Sequence, residues 1–300
     1  MKLENYFAPF REGIVGRNAT FTSPFGEKKI VYSDWTASGR LYEPIERTLL
    51  EKFGPFLGNT HTETSVTGST MTVAFHQALN MIKEHVNAND NDVIIASGSG
   101  MTGVVNKFQR ILGYRAHENY RDQVTPKAED RPVVFISHME HHSNHTSWLE
   151  CMVDVEIIRP NAEDQCDLDH LQELLEQYKD RKVKIASISA CSNVTGITLP
   201  YHKVARMMHE NDGLCFVDFA CSAPYVEINM HPNPEDEAEC LDAVFFSPHK
   251  FLGGPGTPGS RGEEQGLSPC RYHARQRYRQ VPTGGICRGK PVGLMHWRKA

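Results

Sequence analysis

Short apolar runs alternate with segments of helical periodicity from about residue 28 to 258. The runs at 29–32, 92–96, 132–137, 153–158, 183–189, 214–217 and 243–246 read as strands, since each is brief and bounded by turn residues. Between them, Pro44 opens a helix through Phe53, as proline at a first helical position should. Residues 70–86 place Val73, Leu79, Ile82 and Val86 at roughly helical spacing, and 168–178 and 201–210 repeat the pattern. Strands that alternate with helices predict an α/β fold with a mostly parallel sheet covered on both faces. Such sheets bind ligands beyond the carboxyl ends of their strands. The residues that follow each strand are therefore the ones to read for chemistry.

Composition narrows the class without naming an activity. The 300 residues are 39% hydrophobic and 23% charged, with a formal net charge of −5. No apolar run approaches the roughly 18 residues of a membrane span. The first eleven residues mix charges with aromatics and lack the apolar centre of a signal peptide. Eight cysteines at scattered spacings, with no C-x-x-C pair, suggest neither a zinc ribbon nor a disulfide framework, so a cytoplasmic setting is expected. Charge is unevenly spread. Residues 261–300 hold nine Lys/Arg against two Asp/Glu, a formal +7, and only five Val, Ile, Leu or Phe. That stretch is expected to be a basic tail unable to bury a core. A nucleic-acid arm is the remote reading, because no recognisable nucleic-acid module accompanies the charge.

Five strand ends carry candidate chemistry, each with an ordinary alternative. After the 92–96 run, Ser97 to Gly103 places Ser99, Gly100 and Met101 where a glycine-rich turn opens a helix, either a phosphate cradle or a generic turn. After 132–137 comes a cluster of four histidines, His138, His141, His142 and His145. No H-E-x-x-H motif and no completing cysteine or carboxylate supports a metal site, so a histidine that lies on an aromatic cofactor is the alternative to surface residues. Asn193 follows 183–189 and is suited to a phenolic oxygen or to a turn. Asp218 closes 214–217, where a poorly solvated carboxylate wants a cation such as a protonated ring nitrogen; a helix cap is the ordinary alternative. Lys250 follows 243–246, behind Ser247 and His249. A lysine at a strand mouth either points into water or, with its ammonium destabilised by burial, attacks a carbonyl to form a Schiff base. Together these groups assemble a site for pyridoxal phosphate, an electron-sink cofactor that needs an anion cradle, a ring partner and an amine.

The ordered motifs resemble the class V aminotransferase family, especially its cysteine desulfurase and selenocysteine lyase branch, from about Ile30 to Gly259. "YSDWTASG" and "GNTHTET" are similar to the family's early substrate-side segments, and "ASGSGMTG" to its phosphate loop. "SHMEHHSNHTSW" resembles the E-H-H segment, which implies His141 as the ring-stacking, proton-handling residue. "CSNVTG" implies Asn193 near the cofactor O3′ oxygen, and "VDFACSAP" implies Asp218 on the ring nitrogen. "SPHKFLGGPG" implies Ser247 and His249 on the phosphate and Lys250 as the Schiff-base lysine. The resemblance implies the large domain of the pyridoxal-phosphate transferase fold type I over 28–259, preceded by an N-terminal segment at 1–27. It implies a cysteine-like amino-acid substrate and a homodimer, with no membrane and no nucleic-acid partner. Two departures accompany it. Cys221 stands where the family usually has glutamine, and residues 260–300 resemble none of the smaller C-terminal domain that supplies the substrate-carboxylate arginine and the persulfide cysteine. The expected activity is C–S or C–Se cleavage of an amino acid. The alternatives are a transaminase or another lyase on the same scaffold, or a truncated, inactive cofactor-binding protein.

Overall fold

A computed structural model describes residues 2–60, 62–96, 100–255 and 269–272. Its centre is a seven-stranded sheet built from β3 (Val93–Ala96), β4 (Val133–Ser137), β5 (Asp154–Ile158), β6 (Lys184–Ser189), β7 (Leu214–Asp218), β8 (Ala243–Phe245) and β9 (Pro269–Tyr272), in the order β3-β9-β8-β7-β6-β4-β5. Strands β5, β4, β6, β7 and β8 run parallel to their neighbours, while β9 lies antiparallel between β8 and β3. The parallel α/β architecture expected from the alternating pattern is the one observed.

Period-two alternation divides the core between two faces. Val133, Phe135, Ala186, Ile188, Cys215 and Val217 point to the side covered by α7 (Leu168–Gln177) and α8 (Tyr201–Glu210). Val134, Ile136, Ile185, Phe216 and Phe245 point to the side covered by α4 (Met101–Ile111) and α6 (His142–Leu149). There Phe108 packs on Phe216 and Phe245, with ring centroids 4.9 and 5.5 Å apart. Both faces of β4, β6, β7 and β8 are thus dry, which is why these segments read as continuous apolar runs rather than as alternating ones, while the edge strand β5 is only partly covered.

Three expectations change. The 29–32 run is not a strand of the main sheet. Instead β1 (Thr20–Ser23) and β2 (Gly26–Lys29) form a separate antiparallel hairpin. Its two-residue connection, Pro24-Phe25, closes at Gly26, whose φ of +88° suits glycine. The helix expected over 44–53 divides into α2 (Glu43–Thr48) and a wider π turn, Leu49–Phe53. Most of the 260–300 segment lies outside the described residues. Pro269–Tyr272, expected to belong to a tail without a packed fold, is nevertheless hydrogen-bonded as β9. Backbone pairing needs no apolar run of its own, so composition could not reveal it. The helix expected over 70–86 is the longer α3 (Val66–His85), while α1 (Leu3–Glu12) and α5 (Glu118–Val124) are not marked by the apolar pattern.

Candidate functional site

The carboxyl ends of β4, β6, β7 and β8 and the amino end of α4 surround a cavity of about 600 Å³. Gly100, Met101, His141, Asn193, Asp218, Ser247, His249 and Lys250 all line it. Ser99 lies outside the described residues. Parallel register explains the convergence. Ser189 pairs with Asp218, and Asp218 with Phe245, so each strand delivers its following loop to the same level.

At the helix end, Gly100 has φ +153°, and a Cβ there would stand 3.1 Å from His249 Cε1 and 3.3 Å from Ser247 Oγ. Only glycine lets the chain pass so close. The Met101 N–H donates to Ser247 Oγ at 3.0 Å, joining the first turn of α4 to the loop that carries Lys250. The first N–H groups of a helix lack intrahelical acceptors, and the helix dipole favours an anion beside them. The opposite wall comes from residues 34–39. The Gly39 N–H donates to His249 O at 2.9 Å, and a Cβ on Gly39 would meet Phe251 O at 2.0 Å. This close approach brings Asp34, Thr36 and Ala37 to the cavity opposite the strand ends.

Asp218 is 5% exposed and accepts the Ala220 N–H on Oδ1 at 2.7 Å. Burial raises its carboxyl to about 7; the Ala220 bond opposes this, nearby Glu140 adds to it, and Lys250 pulls it back. Such a group takes a charge readily only when a cation arrives. His141 caps α6, its Nδ1 accepting the Ser143 N–H at 3.1 Å. A backbone N–H can only donate, so neutral His141 carries its proton on Nε2. Burial, then the positive charges of Lys250 and His142, lower its pKa below 6.5, which keeps the ring neutral at pH 7. Ser143 Oγ lies 3.0 Å from the same Nδ1 and 2.6 Å from Thr102 Oγ1. Of the four histidines, His138 turns away, its Nε2 3.2 Å from Asp164 O, whereas the His142 ring lies 6.2 Å from that of His141. Among the described residues no group of three or more His, Cys, Asp or Glu is placed to hold a metal ion.

Cys221 donates to Cys191 O at 3.0 Å, and burial pushes its thiol up to about 12. It stands at the cavity as a protonated donor, not as a nucleophile. Sequence reasoning missed Thr102, Ser143, Ser189 and Cys191, which also line the cavity. None of these types is rare enough to announce a site, and only the register of β6 and β7 places Ser189 there.

The Aminotransferase class-V family model matches residues 31–259. The chain belongs to the class V aminotransferase family. The family match contains every described residue of the constellation named above. Similar proteins include a probable cysteine desulfurase of Streptomyces coelicolor, 24% identical over 232 residues, covering 76% of this chain and 51% of the relative. A cysteine desulfurase of Haloferax volcanii is 24% identical over 233 residues, covering 76% and 49%. Among solved structures, the apo cysteine desulfurase of Thermococcus onnurineus NA1 superposes with a TM-score of 0.64 at 18% identity, covering 88% of this chain and 56% of that one. The cysteine desulfurase CsdA (S-sulfonic acid) of Escherichia coli gives 0.60 at 21%, covering 88% and 57%. At these identities the superpositions establish the fold, that of the fold type I large domain. The chain spans about half the length of the curated relatives it matches.

Proposed function

We propose that this chain forms the cofactor-binding half of a pyridoxal-phosphate enzyme that cleaves the C–S or C–Se bond of a cysteine-like amino acid. The carrying observation is Asp218. A carboxyl buried at a strand end, raised to about 7 and facing the same cavity as Lys250, suits a protonated pyridine nitrogen. The other residues fit the same group. The amino end of α4, with Ser247 and His249 against the Cβ-free Gly100, offers donors for a phosphate. Lys250 provides an amine for the aldehyde carbon, and Asn193 lies on the rim where a phenolic oxygen can be met.

When bound, pyridoxal phosphate supplies an electron sink for bonds broken at the substrate's α-carbon and beyond. The protein's part is proton control. Asp218 would hold the ring nitrogen of the bound group in its protonated form, His141, neutral with its proton on Nε2, would serve as a proton donor at the cavity, and Lys250 would provide first the amine that holds the group and then a base beside the substrate α-carbon. High thiol pKa values at Cys151, Cys166 and Cys221, each pushed up to about 12 by burial, leave none of these three suited to attack sulfur. The free thiols among the described residues favour a reducing, cytoplasmic setting. Exposed Leu49, Leu50, Leu57, Val66 and Val73 favour burial against a second copy, as the family resemblance implies.

The test is reconstitution. Purified protein mixed with pyridoxal phosphate should develop a visible absorbance band that survives gel filtration, and Lys250→Ala should abolish it. Product analysis then separates the chemistries. With a dithiol reductant added to release the sulfur, equimolar sulfide and alanine from cysteine mark a desulfurase, whereas a keto acid without sulfide marks a transaminase. A band that persists in the alanine variant refutes the lysine assignment.

A further inference from the structure

Glu140 sits beside the cavity without lining it, and its contacts are unusually one-sided. Oε1 accepts from Ser137 N (3.3 Å), Ser137 Oγ (2.5 Å) and Ser189 N (2.8 Å). Oε2 accepts from Asn144 Nδ2 (2.7 Å) and Ser189 Oγ (2.8 Å). The two backbone N–H groups can only donate. The Asn144 amide is also fixed, because the Ser187 carbonyl oxygen, which can only accept, takes a proton from Asn144 Nδ2 at 2.9 Å. That leaves Nδ2 facing Glu140. Three obligate donors, joined by Ser137 Oγ, which already accepts the Met139 N–H, favour the carboxylate and leave a protonated acid only the Ser189 hydroxyl to donate to. None of the partners carries a charge. Burial opposes ionisation and raises the carboxyl, while these bonds pull it back.

The position of this anion matters because of register. Ser189, which gives Glu140 two of its bonds, is the β6 residue paired with Asp218 on β7. The Ala190 N–H next to it donates to Asp218 O at 2.9 Å. Glu140 and Asp218 therefore flank one residue, and the next residue after Glu140 is His141. The groups whose charge acts on Asp218 are Glu140, Lys250 and the Cys221 thiol, with the His141 and His249 rings lining the same cavity; around Glu140 they are Asp218 and the Cys166 thiol, with His141 next in the chain. Lys250 is the only lysine or arginine in that set.

We propose that Glu140 is a positioning residue: an anion locked between the ends of β4 and β6 that ties His141 to the sheet and sets a second negative charge beside Asp218, so that the two carboxylates together select a protonated nitrogen heterocycle. This rests on reading the cavity as a pyridoxal-phosphate site. Like charges held close in a poorly screened interior make each a better partner for an incoming cation. They also penalise a neutral aromatic ligand of the same shape, which leaves both anions uncompensated.

The experiment begins with cofactor-free protein, in which the Asp218 carboxyl is followed by carbon NMR against pH. In Glu140→Gln its midpoint should fall by about one pH unit, the size of one like-charge interaction in a partly screened interior. Ser137→Ala removes one of the five bonds and keeps the charge, so its midpoint should stay that of wild type. Equilibrium binding of pyridoxal phosphate should weaken about tenfold in Glu140→Gln, the same free energy expressed as affinity. An unshifted midpoint in folded Glu140→Gln overturns the proposal, as does an equal shift in Ser137→Ala. Should Glu140→Gln fail to fold, the wild-type Glu140 resonance decides: a carboxylate at pH 6 supports the proposal, and a protonated acid there refutes it. Wild type that binds no pyridoxal phosphate refutes the cofactor reading, while the NMR midpoints still judge the coupling of the two carboxylates.

Discussion

Phe216 and Phe245, on neighbouring parallel strands, are 0% and 1% exposed, whereas Phe25, Leu50 and Leu57 near the amino end stand 85%, 75% and 76% exposed. The two regions carry similar side chains and meet along residues 38–40, where the Gly39 N–H donates to His249 O and the Gly253 N–H donates to Arg40 O. Strands β4, β6, β7 and β8 bury their apolar residues against α4, α6, α7 and α8. Residues 2–60 bury few. Their hairpin pairs only with itself, and α1 has no buried residue at all. The difference teaches that the cavity has a rigid floor, built from the strand ends, and a wall at residues 34–39 held by close backbone approach. A site that must tune a carboxyl to about 7 needs the first kind of support, because only a dry, well-packed floor maintains the desolvation that does the tuning.

The strongest way to break that comparison is to remove floor packing. Phe216→Ala should cost about 3–5 kcal/mol in denaturant unfolding, since it empties the contact with Phe108 and Phe245. A loss below about 1 kcal/mol would show that α4 does not depend on that face.

A second prediction uses pH to separate the floor's rigidity from its charge. Asp218 has an ordinary pKa of 3.8 unfolded and about 7 folded. The folded state therefore holds a proton that the unfolded chain releases. Its contribution is full below pH 4 and is lost as pH rises towards 7, at about 1.4 kcal/mol per pH unit. Asp218→Asn keeps an acceptor for the Ala220 N–H but cannot titrate. The stability of cofactor-free wild type should accordingly fall more steeply between pH 4 and 7 than that of the variant. Parallel pH profiles would mean that water reaches the carboxyl and that the floor is not dry.

The smallest effect belongs to the exposed region. Leu50→Ser should change the stability of the isolated chain by no more than about 0.5 kcal/mol, as substitutions on open surface do. A loss that appears only at high protein concentration would sharpen the comparison, because it would show the apolar surface near Leu50 to be covered by a second copy.

The α/β class, the ends of the parallel strands to within a residue or two, and Asn193, Asp218, Ser247, His249 and Lys250 among the residues that face the cavity could be read from the sequence alone. Burial on both sides of a parallel strand leaves a continuous apolar run, and that run marks where the next loop must emerge. Lys250, Asp218 and Asn193 were legible because each follows such a run and has a side chain with few structural uses there. Other features were decided only by the tertiary structure. Glu140 looked like one polar residue among histidines until the β6–β7 register set Ser189 between it and Asp218. Gly100 became obligatory only when His249 and Ser247 closed on it from 147 or more residues away in the chain. The place of β9 between β3 and β8 is a matter of backbone hydrogen bonds, which leave no mark in hydrophobic periodicity. Local pattern reports whether a residue is dry; which dry residues share a neighbour is settled by pairing across the sheet, where distance along the chain carries no information.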